Sequence, residues 1–175
     1  MSHESITLGG GCFWCLDSAY SQFAGITDIT CGYTGGHLPN PSYEQVCDGN
    51  TGHAEVVSIE FDPAIISSEQ ILDIFFTLHD PTQLNRQGND IGTQYRSSMF
   101  FASPEQKVLF ENSIERAKDI WGNGIVTEVT ELGEFYRAEE YHQDFFAKNP
   151  NQGYCVAVVA PKVAKVRAKF SHLLK

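Results

Sequence analysis

A chain of 175 residues, 42% hydrophobic and 19% charged, has a globular composition and buries roughly 70% of its unfolded surface on folding, which excludes a disordered or low-complexity protein. Twelve Lys and Arg against 22 Asp and Glu give a formal charge of -10 at pH 7, which repels phosphate backbones and anionic lipid and excludes nucleic acid and membrane surfaces as natural partners. No segment reaches the ~20 apolar residues that cross a bilayer, and Met1 to Ser5 carry no basic leader, so the expectation is a cytoplasmic monomer.

Ile6 to Leu8 form a short apolar strand that enters Gly9, Gly10 and Gly11. Phe13 to Phe23 then carry helical spacing at Trp14, Ala19 and Phe23 without a breaker. Ile26 to Tyr33 predict a second strand. A third covers Ala54 to Phe61, with alternation at Val57, Ile59 and Phe61 and a stop at Asp62 and Pro63. Ser67 and Gln70 form a capping-box pair ahead of a helix face made by Ile71, Leu72, Phe75 and Phe76, ending near His79. Asp80 to Arg96 is polar and shows neither periodicity, which in a compact chain suggests a functional loop.

Ser97 to Ala102 resume as a strand. Ser103, Pro104 and Gln106 open a helix that runs to about Trp121, and Ile125 to Glu131 predict a further strand. One more helix falls within Phe135 to Lys148, and Tyr154 to Val159 read as extended. Lys162 to Lys175 read as a terminal helix whose solvated face carries Lys162, Lys165, Arg167, Lys169 and Lys175. The order predicts an α+β fold: a two-layer split βαβ (ferredoxin-like) core with an extra helix and long irregular loops, residues 1–175 forming a single catalytic domain.

Five cysteines is an odd number for a disulfide framework, and a domain of this size needs no such staples. Cys12 stands where strand turns into helix, among N–H groups without intrahelical partners and at the positive end of the helix dipole. That placement predicts a stabilised thiolate and a nucleophile. Cys12 and Cys15 also form a CxxC, so thioredoxin-like dithiol chemistry is an alternative, although Trp14 lies inside the pair and a glycine triplet precedes it. No metal is expected. Cys31 and Cys47 stand alone, and the pairs His53 with Glu55 and Glu139 with His142 lack the second half of a metal site and read as polar support. No GxGxxG or P-loop pattern is present, so no nucleotide or flavin cofactor is expected.

GGGCFWC at 9–15, GYTGG at 32–36, YEQVC at 43–47, TGHAEVV at 51–57, HDPTQLNRQGNDIGTQYRS at 79–97 and FYRAEEYHQ at 135–143 span nearly the whole chain. In this order they resemble the A-type peptide methionine sulfoxide reductases. The resemblance implies a thiol-dependent peptide-methionine (S)-S-oxide reductase without cofactors, acting on methionine sulfoxide, free or in oxidised proteins. It makes Cys12 the catalytic cysteine, Phe13 and Trp14 the apolar walls for the substrate methyl group, and Glu55 the acid beside the sulfoxide oxygen. Tyr43, Asp90 and Tyr95 become hydrogen-bonding partners of that oxygen or of a water. A carboxyl buried among apolar groups holds its proton at neutral pH and can deliver it to a poor leaving group.

The implied cycle leaves Cys12 as a sulfenic acid, which a second thiol converts to a disulfide that thioredoxin reopens. Two thiols compete for the resolving role: Cys155, in GYC at 153–155, matches the position where many family members keep a recycling cysteine and is the preferred candidate, and Cys15, as in the subset with GCFWC, is the other. Longer family members carry a glycine-rich tail with a further cysteine; PKVAKVRAKF stands here instead, so a relay through such a tail is not expected. Cys31 and Cys47 are expected to be buried, inert thiols. Two other readings predict different chemistry: a general dithiol oxidoreductase acting on protein disulfides, and a non-catalytic module that binds oxidised methionine.

Overall fold

The computed structural model describes residues 3–175; Met1 and Ser2, part of the stretch read as lacking a leader, lie outside the described residues. In chain order the elements are β1 (Glu4–Gly9), α1 (Phe13–Ser21), β2 (Ile26–Thr34), α2 (Tyr43–Cys47), β3 (Ala54–Phe61), α3 (Ser68–Leu78), β4 (Arg86–Gln87), β5 (Asp90–Ile91), β6 (Ser98–Phe101), α4 (Pro104–Trp121), β7 (Glu128–Glu131), β8 (Tyr136–Arg137), α5 (Phe145–Lys148) and α6 (Ala160–Lys169). A six-stranded sheet runs in the order β7-β6-β1-β3-β2-β8, and β4 pairs separately with β5. Only β6 with β7 is parallel; the other neighbours in the sheet are antiparallel. The fold is α+β. The strands joined through α1, β1 and β2, lie on either side of β3.

Side chains alternate across a strand, so β3 sorts its residues onto two faces. Val57, Ile59 and Phe61 enter the main core with Phe13, Leu16, Tyr20 and Phe23 of α1 and Ile71, Leu72 and Phe75 of α3. Ala54 and Val56 face the other way, where Phe100 joins them under Leu132 and Phe135. Glu55 has the parity of Val57, which puts a carboxyl on the side where α1 packs. Polar ends fasten the layers: the Tyr20 hydroxyl donates to the Ile71 carbonyl at 2.7 Å and the Trp121 indole to the Phe76 carbonyl at 2.9 Å.

The caps read from the sequence are present. Ser67 accepts from the Gln70 amide at 3.1 Å while Gln70 Oε1 accepts from the Ser67 amide at 2.9 Å, and Ser103 accepts from the Gln106 amide at 3.2 Å ahead of Pro104. Asp80 to Arg96 holds the short β4–β5 hairpin and a turn at Thr93–Tyr95. Among the described residues no helix is long and apolar enough to cross a membrane.

Three readings are corrected. Tyr154 to Val159 are helical, not extended: a π-helical turn at Cys155–Val159 runs directly into α6. The alternation of small β-branched residues there is overridden by packing, which buries Cys155 and Val159 in the main core. The strand placed at Ile125 begins at Glu128. The helix expected within Phe135 to Lys148 is present as Phe145–Lys148, after Tyr136–Arg137 have paired with β2. The terminal helix stops at Lys169, followed by a turn at Ser171–Leu173.

The GYTGG segment must approach other backbone closely. A Cβ on Gly36 would lie 2.3 Å from the Thr51 carbonyl oxygen and 2.4 Å from the His53 nitrogen, whereas one on Gly133 would meet nothing within 4 Å. Gly36→Ala is therefore expected to lower stability by about 2–3 kcal/mol and Gly133→Ala to stay within about 0.5 kcal/mol, read from urea denaturation midpoints.

Candidate active site

The turn between β1 and α1 lies flush against its neighbours. A Cβ on Gly9 would sit 2.6 Å from Ser98 Oγ and 2.9 Å from the Glu55 carbonyl oxygen. Gly11 has φ +81 and donates its N–H to the Tyr95 carbonyl at 3.1 Å, a conformation that glycine adopts without strain. Cys12 follows as the N-cap of α1, with φ -69 and ψ 132, and is 7% exposed. The next amide, that of Phe13, donates to Glu55 Oε1 at 3.2 Å.

Glu55 is buried, and its second oxygen, Oε2, has no hydrogen-bond partner among the described residues. Burial pushes its carboxyl up to about 8; the Phe13 amide opposes that rise and the charge of Asp90 adds to it. At neutral pH the group carries a proton that no protein acceptor engages.

Cys12 departs from the sequence expectation. Burial, then the neighbouring Glu55 and Cys15, hold its thiol well above the ordinary range, and the Trp14 amide is the one group that pulls it down. The helix start does supply an N–H group, but desolvation outweighs it, so the resting form is a thiol and not a thiolate.

Aromatic rings surround this pair. Phe13 is fully buried, with its ring 5.7 Å from that of Tyr33 and stacked at 6.4 Å on Tyr43. Trp14 stacks on Phe145 at 3.8 Å and 7°, meets Tyr154 edge-on at 5.7 Å, and donates its indole N–H to His142 Nδ1 at 3.0 Å. Because Nδ1 accepts, the neutral His142 ring carries its proton on Nε2, which is buried without a partner. Glu139 ties the cluster to the sheet: Oε2 accepts the Tyr43 amide at 2.8 Å and Oε1 the Tyr33 hydroxyl at 2.9 Å. That bond adds to the Ser42–Gln45 capping box at the start of α2, a single turn of helix that needs outside anchorage.

Cys12, Glu55, Phe13, Trp14, Tyr43, Tyr95 and Asp90 are thus brought together. Glu55 and Cys12 both act on Tyr95, and Glu55 also acts on Tyr43. Asp90, on β5, accepts a hydrogen bond from the Tyr154 hydroxyl. Cys15 and Cys155 are both buried, and Cys15 feels Cys155 while acting on Cys12. Cys31 is buried, its thiol 3.6 Å from Asp17 Oδ2. Cys47 is not buried as expected but exposed, because it ends a one-turn helix at the surface.

His53 accepts the Gly36 amide at 3.0 Å and reaches the Leu38 carbonyl at 2.7 Å, which supports the adjoining loop. Sequence reasoning missed the parts played by Glu139, His142, Phe145 and Tyr154. The spacing of Glu139 and His142 marked the pair, but not what they hold.

A proton-bearing carboxyl beside a buried thiol, walled by aromatic rings, is the constellation of a thiol enzyme for an apolar substrate. A family model described as peptide methionine sulfoxide reductase matches residues 4–174. The peptide methionine sulfoxide reductase MsrA of Paenarthrobacter aurescens is 57% identical over 168 residues, 96% of this chain and 97% of that one. The reduced form of Mxr1 from Saccharomyces cerevisiae superposes with a TM-score of 0.83 at 38% identity, covering 87% of this chain and 89% of that one. Mxr1 in complex with Trx2 matches at a TM-score of 0.59 and 26% identity, covering 82% and 84%. The chain belongs to the peptide methionine sulfoxide reductase family, and its reaction is the reduction of methionine sulfoxide to methionine.

The buried carboxyl has a consequence for stability. Its folded value of about 8 lies above the ordinary 4.5, so its contribution is complete below pH 4.5 and lost as pH rises through 8. Glu55→Gln has nothing to ionise. Between pH 4.5 and 8.5 the wild type is expected to lose on the order of 3–5 kcal/mol relative to Glu55→Gln in denaturation midpoints measured at each pH.

Proposed function

We propose that the chain reduces the S epimer of methionine sulfoxide, free or in oxidised proteins, with Cys12 as nucleophile and Glu55 as proton donor. The observation that carries this is the unpartnered Oε2 of Glu55, whose other oxygen is fixed by the amide next to Cys12. Phe13 and Trp14 wall the methyl group. Tyr43 and Tyr95 supply hydroxyls for the sulfoxide oxygen, and Asp90, oriented by Tyr154, sets the field around them.

Glu55 passes its proton to the sulfoxide oxygen as the Cys12 sulfur bonds to the substrate sulfur. The carboxylate so formed accepts the Cys12 thiol proton, which restores Glu55. Transfer of the hydroxyl to Cys12 then breaks the bond between the two sulfurs and releases methionine. The balance is one thiol and one sulfoxide consumed, one sulfenic acid and one thioether formed.

Cys15 resolves the sulfenic acid first. It lies on the first turn of α1, with its amide donating to the Cys12 carbonyl at 3.1 Å, and CxxC pairs at helix starts close disulfides. Cys155 is held in the π-helical turn at the start of α6, its amide bonded to Gln152 Oε1 at 3.0 Å. A dithiol reductant of the thioredoxin type reopens the disulfide, a reading supported by the yeast relative solved with Trx2. A reducing cytoplasm suits such a cycle.

Turnover of the separated epimers with dithiothreitol tests the assignment. The S epimer alone is expected to give methionine; turnover of neither would overturn it. Cys12→Ser is expected to lose activity at least 1,000-fold. Cys15→Ser is expected to yield one methionine per chain and then slow about tenfold or more, with Cys155→Ser forming its first disulfide at the wild-type rate. The reverse pattern would move the resolving role to Cys155.

A further inference from the structure

The basic tail, read from sequence as one solvated face, is not uniform in the fold. Lys165, Arg167 and Lys169 are exposed, but Lys162, in the first turn of α6, is half-buried. Its Nζ lies 3.7 Å from where a Cβ on Gly11 would stand, so the ammonium covers the glycine turn immediately before Cys12. The ion pairs among the described residues all involve other side chains. A cation with no carboxylate partner therefore sits beside the start of α1, the end of the helix that already bears partial positive charge. Such a placement is unfavourable at rest and becomes favourable when negative charge develops nearby.

Cys15 belongs to the same helix start, in the first turn of α1 with its amide donating to the Cys12 carbonyl at 3.1 Å, and it is the thiol that must take up negative charge in the resolving step. The groups acting on its thiol are Lys162, Asp90, Cys155 and Glu55, with Cys12 and Tyr154 also coupled to it. Of these only Lys162 is a cation. The nearby His79, whose ring carbon would meet a Cβ on Gly10 at 3.0 Å, is kept neutral by burial, against the pull of the Phe75 carbonyl it bonds and with the charge of Lys162 adding to the effect.

We propose that Lys162 is a positioning residue for the resolving step, its ammonium placed to stabilise negative charge on the Cys15 sulfur as that sulfur attacks the Cys12 sulfenic acid. This rests on the reading in which Cys15 resolves. In the step the Cys15–Cys12 sulfur bond forms and the Cys12 sulfur–oxygen bond breaks. The Cys15 sulfur is oxidised, the Cys12 sulfur is reduced by the same amount, and the departing hydroxyl leaves as water with the proton that Cys15 gives up. Burial is the main reason Cys15 rests as a thiol, pushed up to about 11 in its surroundings as a whole, and Lys162 is the influence that opposes it.

Quenched single turnovers of the full chain separate the two events, methionine being counted by chromatography and the Cys12–Cys15 disulfide by mass spectrometry of alkylated peptides. Lys162→Met is expected to form methionine within twofold of the wild-type rate and to close the disulfide roughly three- to tenfold more slowly; lower thiolate content is partly offset by higher intrinsic nucleophilicity. Lys162→Arg should recover most of the rate, and Lys165→Met, which removes an exposed charge from the same helix, should change neither event.

In a Cys12→Ser background, the pH midpoint for alkylation of Cys15 should rise by about one unit when Lys162 is replaced by Met. Equal disulfide rates in wild type and Lys162→Met, or a first disulfide joining Cys12 to Cys155, would overturn the proposal. Absence of methionine from the wild type would instead overturn the function proposed for the site. Should Lys162→Met fail to fold, Lys162→Gln carries the same comparison.

Discussion

The hydrogen bond from the Phe13 amide to Glu55 is the contact on which the site depends. It crosses from α1 to β3, and it occupies one carboxyl oxygen while leaving the other buried and free. The alternation that sends Val57, Ile59 and Phe61 into the core also sends Glu55 under the helix start. Had Oε2 found a donor as well, the carboxyl would ionise near its ordinary value and the acid would be lost. Burial keeps the proton on Glu55 and, by the same physics, on Cys12. Both reacting groups rest neutral, which avoids placing two negative charges in one desolvated site.

The second requirement is met by the segment from Phe135 to Tyr154. β8 pairs with β2, the Gln143 side chain bonds both the amide and the carbonyl of Cys31, at 2.8 and 3.0 Å, and Asp17 Oδ2 accepts the Asp144 amide at 2.8 Å. These contacts need no extended hydrophobic surface, and they bring His142, Phe145 and Tyr154 against Trp14. Tyr154 in turn fastens Asp90 on the β4–β5 hairpin. The walls of the site are therefore drawn from segments far apart in sequence and are held by polar bonds to main chain.

Much of this was legible in the residues. Strand alternation at Val57, Ile59 and Phe61, the Ser67–Gln70 box and the Ser103–Pro104 start are local signals, and each marks an element that is present. α2 carried the same box at Ser42 and Gln45, but five residues are too few to show a period. Tyr154 to Val159 failed for the opposite reason: the local pattern suits a strand, and packing chose a helix. Exposure was harder to read than placement. Cys47 and Lys162 exchanged their expected surroundings, the cysteine exposed at the surface and the lysine half-buried against the glycine turn. Both outcomes depend on which neighbours the fold supplies, and no spacing in the chain encodes that.

The central claim is that chemistry is limited by the proton on Glu55 and not by ionisation of Cys12. The most direct measurement is the pH dependence of methionine formation in the first turnover of the wild type, with substrate saturating. A rate that is level through neutral pH and falls as pH rises through about 8 is what the buried acid requires. A rate that climbs through the same range would show that a Cys12 thiolate attacks on its own and would contradict the account.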